Sequence, residues 1–194
     1  LVAMTLQSVK AILSSKSPFH TTTYLGFISF NNCTTDTQIK KYSPFFKDME
    51  ELIRHVHLLF PHKKIIVKGH PKDSLQNHNR YRGVCNEFEN FTYVVNTNNL
   101  GYCKYAERVI AINSTTINEA LVFHKAVMTY GKNNFYGKGV TYEVHDPSDS
   151  TYQRDFLRYE PNVDHIEKYL CYLLSLQFDS TNPNMKKVLK HFKL

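Results

Sequence analysis

The chain of 194 residues carries 24 Lys+Arg against 17 Asp+Glu, 10 His, 4 Cys and no Trp, with 42% hydrophobic, 13% aromatic and 21% charged residues. This excludes intrinsic disorder, collagen-like repeats and a mini-protein held by disulfides, and it predicts one globular domain with a packed core. A formal net charge of +7 favours an anionic partner, which could be nucleic acid, an anionic membrane surface or a phosphorylated small molecule.

Residues 1–23 read as an N-terminal helix or linker: the mildly apolar start, Leu1 to Leu13, is interrupted by Lys10, is too short to span a bilayer and lacks the basic leader of a signal peptide. A first residue other than Met suggests an excised domain. From residue 24 on, β-branched or aromatic runs at 24–30, 63–68, 92–95, 108–112 and 126–130 alternate with helical or polar stretches, which predicts a βαβ chain with a parallel sheet over 24–194. The clearest helix is 44–60, where Phe45, Met49, Leu52, Ile53, Val56, Leu59 and Phe60 form one stripe, Ser43 is the expected N-cap and Pro44 the first helical residue.

Residues 74–90, rich in Asn, Arg and His, and 131–161, with Gly, Tyr, Asp and Pro, read as irregular and solvent-facing. Thr116 to Glu119 has the form of a capping box opening a helix with Ile117, Ala120 and Leu121 on its apolar face. A long amphipathic helix is expected over 163–174 and a shorter basic one over 185–192. Cys33, Cys85, Cys103 and Cys171 show no metal or redox spacing and read as free thiols. The N-x-[ST] triplets at Asn32, Asn90 and Asn113 matter only in a secretory compartment.

In a doubly wound sheet, ligands bind where strands hand over to helices at their carboxyl ends. Two such loops attract an anion. Lys68-Gly69-His70-Pro71-Lys72 follows the run 63–68 with two cations and an imidazole, a glycine that lets a ligand approach the backbone and a proline that stiffens the exit. Asn113-Ser114-Thr115-Thr116 follows the run 108–112 and offers helix-start amides and hydroxyls. The plainer readings are a solvated basic turn and an ordinary helix cap. Two anion-friendly loops on one alternating sheet suit the phosphate of a nucleotide, and Gly131-Lys132 would close the same edge.

The stretch Ile112-Asn113-Ser114-Thr115-Thr116-Ile117-Asn118-Glu119-Ala120-Leu121, then Lys125 to Lys132 and Phe135-Tyr136, resembles the signature of the capsule-polysaccharide biosynthesis glycosyltransferases, the family of bacterial Kdo transferases. Lys68-Gly69-His70-Pro71 resembles that family's K-x-H-P motif, and Asp36 to Ile39 with Tyr42 to Phe45 resembles the segment after its first strand in this half. The resemblance covers roughly residues 24–145. It implies an α/β Rossmann-like parallel sheet with helices on both faces, the C-terminal half of a GT-B glycosyltransferase. By position, His70 and Lys68, with Pro71, would contact the donor phosphate and His70 would be catalytic. Asn113, Ser114, Thr115 and Thr116 would hold the phosphate from the helix start, Glu119 would sit near the ribose or sugar, and Gly131 and Lys132 would complete the site. The His-Pro and Ser/Thr pair is also similar to that of bacterial sialyltransferases, which favours a CMP-activated Kdo or related sugar acid as donor substrate, with no cofactor and no metal.

The implied partners are that donor, a glycan or glycolipid acceptor and an N-terminal GT-B domain that carries the family's acidic catalytic motif, for which residues 1–23 are too few. The implied location is cytoplasmic. The basic residues Lys186, Lys187, Lys190 and Lys193 offer a peripheral membrane contact or, more simply, a solvated face. Three rivals are a transferase using a UDP- or GDP-deoxyhexose, a nucleic-acid-binding module built on 13 Tyr and 13 Phe with the +7 charge, and a scaffold that kept the fold without catalysis.

Overall fold

The computed structural model describes residues 26–29, 45–95, 97–149 and 151–177; the side chains of 26–29 and 174–177 are not described. Among the described residues six strands form one sheet: β1 (Gly26–Ser29), β2 (Ile65–Lys68), β3 (Phe91–Val94), β4 (Arg108–Ala111), β5 (Ala126–Thr129) and β6 (Tyr142–Glu143). Their order is β3-β2-β1-β4-β5-β6 and every pairing is parallel. β2 and β4 are buried at all four positions, as expected where helices cover both faces of a parallel sheet.

The helices are α1 (Met49–Leu59), α2 (Leu75–Asn86), α3 (Asn99–Tyr105), α4 (Thr116–Val122), α5 (Thr151–Arg158) and α6 (Val163–Gln177). Alternate strand residues feed two cores. Ile65, Val67, Ile110, Ile112 and Met128 pack with α1, α2 and α5 on one face. Ile66, Val109, Ala111 and Val127 pack with α3, α4 and α6 on the other. This is the Rossmann-like α/β fold expected from the sequence. The connections leaving β1 and β2 run to one face and those leaving β3 and β4 to the other, so the topological switch lies between β1 and β4.

Several expectations are corrected. The 44–60 helix begins at Met49, because the Asp48 side chain accepts the Glu51 N–H at 3.1 Å and so sets the cap; Ser43 and Pro44 lie outside the described residues. The 74–90 stretch is not irregular. Ser74 caps α2 by accepting the Asn77 N–H at 3.1 Å, and His78, Tyr81, Val84 and Cys85 turn one face inward. Within 131–161, β6 joins the sheet beside β5, and α5 buries Tyr152 and Phe156. Buried Arg108 fixes the end of α5 by donating to the Leu157 carbonyl at 2.7 Å and the Tyr159 carbonyl at 2.8 Å. Cys85, Cys103 and Cys171 are free thiols. The expected 1–23 segment, the 185–192 helix and Cys33 lie outside the described residues.

Candidate functional site

The carboxyl ends of β2 and β4 both border β1, with Ser29 in register with Lys68 on one side and Ala111 on the other. Two strand spacings put Lys68 and Ala111 about 10 Å apart on one edge of the sheet. The loops carrying His70 and Ser114 therefore leave the same edge of the sheet on either side of β1.

Lys68 turns towards the α3/α4 face, where only 5% of it remains exposed. Its Nζ donates to the neighbouring Gly69 carbonyl at 3.4 Å, and among the described residues no carboxylate stands within salt-bridge distance of it. An ammonium has three donors, and the described residues take up one of them. Burial pushes the Lys68 ammonium below its ordinary value, opposed by the charge of Glu119 and by Cys103. Burial pushes the Glu119 carboxyl up, opposed by a hydrogen bond from Asn99 and by Lys68. Lys68 and Glu119 thus feel each other's charge in partly desolvated surroundings without forming an ion pair at contact distance.

Around them the α4 start is built differently from a capping box. Thr115 is the N-cap but makes no side-chain cap bond. Ser114 is buried and its Oγ accepts the Thr116 N–H at 3.3 Å, while the Thr116 hydroxyl accepts from Asn99 Nδ2 at 3.1 Å. Glu119 does not reach back to the cap, because its environment is set by the Asn99 amide and the Lys68 charge. Asn99, the first residue of α3, joins this cluster, and no sequence signal marks it.

His70 is half-buried, and its Nδ1 accepts the Lys72 N–H at 3.2 Å, which puts the proton of the neutral ring on Nε2. The His70 carbonyl closes the turn by accepting the Asp73 N–H at 3.0 Å. Pro71 and Lys72 are exposed on that turn. The role expected for Gly69 is replaced by another: a Cβ there would lie 2.2 Å from Tyr93 Oη and 2.9 Å from His78 Nδ1, so the space is filled by the protein itself. Tyr93 Oη and His78 Nδ1 share a hydrogen bond at 2.8 Å, forming a buttress under the His70 turn. On the β5 side, Gly131 is buried and Lys132 exposed; Asn113 is half-buried and Thr115 exposed.

Glu119 supplies a pH test. Its folded value is raised, so the native state binds the extra proton between about pH 4.3, the unfolded carboxylate value, and the raised value. Its contribution is complete below that window and is lost as pH rises through the folded value. Glu119→Gln is expected to remove this part of the decline when urea unfolding is followed across the window; an unchanged difference between the two proteins at every pH would contradict it.

A family model described as "Capsule polysaccharide biosynthesis protein" matches residues 8–173. No curated protein matches the chain. Among solved structures, the chain is similar to the KpsC β-Kdo 2,7 transferase of Thermosulfurimonas dismutans, with a TM-score of 0.58 and 22% identity over 82% of this chain and 48% of that one. It is also similar to the KpsC β-Kdo 2,4 transferase of the same organism, with a TM-score of 0.55 and 14% identity over 78% of this chain and 45% of that one. At these identities the likeness is one of fold. The chain spans about half the length of these solved structures.

Proposed function

The chain belongs to the capsule polysaccharide biosynthesis protein family, and from that premise we propose that it is the donor-binding half of a GT-B glycosyltransferase. The proposed reaction passes Kdo or a related sugar acid from a CMP-activated donor to a growing surface glycan. The observation that carries this reading is Lys68: a buried cation that, among the described residues, spends only one donor, on the sheet edge that also bears His70 and Ser114. A buried ammonium is costly unless something pairs with it, and a phosphate arriving at that edge supplies that pairing. The KpsC chains of similar fold are Kdo transferases, which supports the sugar.

In the proposed transfer, the anomeric C–O bond to the nucleotide phosphate breaks as the acceptor oxygen bonds to the anomeric carbon. The electron pair of the broken bond stays on the phosphate, whose charge grows in the transition state. Lys68 offsets that charge as a fixed cation, and His70 donates from Nε2 or carries a full charge when protonated. The exposed Thr115 hydroxyl at the α4 start, which makes no side-chain cap bond, adds a donor beside them. The acceptor's proton leaves to a base supplied by the N-terminal half.

Calorimetric titration with CMP, UDP and GDP tests the reading. CMP is expected to bind at least about tenfold more tightly than the others, equivalent to ~1.4 kcal/mol. Equal, weak binding of all three would overturn the CMP donor. Steeply salt-dependent binding of oligonucleotides with no mononucleotide binding would instead favour the nucleic-acid module.

A further inference from the structure

Two neighbouring exits on the carboxyl edge, those of β4 and β5, are tied by one side chain that no motif marks. Asn133 Nδ2 donates to the Ile112 carbonyl at 3.2 Å and to the Gly131 carbonyl at 3.1 Å, while its Oδ1 accepts the Phe135 N–H at 2.8 Å. Ile112 ends the run leading into Asn113-Thr116, and Gly131 opens the loop that carries Lys132. The main-chain tie between these strands includes the Tyr130 N–H to Ala111 carbonyl bond at 3.3 Å, and the Asn133 amide continues it one step further. Only a side-chain amide offers two N–H donors and an adjoining acceptor on one rigid plane; Asp lacks the donors and Gln sets them a methylene further out. The turn is held from its other side as well, since the Asn133 carbonyl accepts the Tyr136 N–H at 3.1 Å and Phe135 is buried against Tyr169.

We propose that Asn133 is a positioning residue of the donor site: it fixes the loop of Asn113-Thr116 against the loop of Gly131-Lys132, so that both grip one ligand as a single unit. The ligand part of this rests on the nucleotide-sugar reading; the coupling of the loops does not. Asn133 touches no reacting group and acts through Ser114 and its neighbours.

Two variants test it. Asn133→Ala leaves two carbonyls without their donor, and Asn133→Asp sets a carboxylate against them. Amide hydrogen exchange on the unliganded chain is expected to rise about tenfold or more over 112–117 and 131–136 in both, with α1 and α2 unchanged. Unchanged exchange in those loops, or a rise spread over the whole chain in both variants, overturns the proposal. The second readout is a double-mutant cycle with Ser114→Ala, scored as CMP affinity. If Asn133 works by holding Ser114 in place, the cost of losing Ser114 shrinks severalfold in the Asn133→Asp background. Additive costs overturn the proposal. Should the parent chain bind no nucleotide, the donor reading falls, and the exchange measurement still decides whether Asn133 couples the loops.

Discussion

Gly69→Ala is expected to cost about 1–3 kcal/mol of stability, a large effect for one methyl group, and to be partly reversed by a change on the neighbouring strand β3. The added Cβ would meet Tyr93 Oη at 2.2 Å and Tyr93 Cζ at 2.9 Å. Tyr93 cannot yield cheaply, because its hydroxyl is bonded to His78, which is buried. Either that bond breaks, at about 1 kcal/mol, or the Gly69-His70 backbone moves and carries His70 with it. Tyr93→Phe removes the nearest atom and should recover part of the loss; Tyr93→Val, suited to a strand, should recover more. The measurement is urea unfolding of the single and double variants. If Gly69 were small for the sake of a ligand, the alanine variant would keep its stability, lose nucleotide affinity and gain nothing from the change at Tyr93.

The alternation of β-branched runs with helical stretches made the parallel sheet legible, since strands buried on both faces leave unbroken apolar runs such as Ile65-Ile66-Val67. The stripe of α1 was legible for the same reason, although its start was not: Phe46 belongs to the core but precedes the helix, so burial periodicity continued past the cap set by Asp48. α2 was hidden because its inward face is made of His78, Tyr81, Val84 and Cys85, and two of those four residues count as polar or amphipathic in any hydropathy pattern. α5 shows only Tyr152 and Phe156 to the core, too few to mark a period. At the site, Lys68, His70 and Ser114 stand at strand exits, which sequence order reveals. Asn99 and Asn133 act across the fold, on Thr116 from 17 residues away and on Ile112 from 21, and spacing carries no signal for such pairs. The burial of Lys68 was equally invisible, because it follows from which face of β2 the residue falls on and from α3 and α4 closing over it.

The account turns on that burial. Lys68→Met keeps the length and apolar volume of the stem while removing the charge. The exchange should do little harm to the fold, since it removes an ammonium that burial disfavours and that makes no salt bridge among the described residues. Ligand binding should suffer far more, because a charge-assisted contact to a phosphate in a desolvated site is worth about 3 kcal/mol, roughly 100-fold in affinity. The direct measurement is calorimetric titration of CMP into the unaltered chain and into Lys68→Met, with thermal unfolding of both as the control. A loss of roughly 100-fold in affinity at nearly unchanged thermal stability is the predicted result. Equal affinity in the two proteins would mean that the buried ammonium meets no phosphate, and would contradict the account.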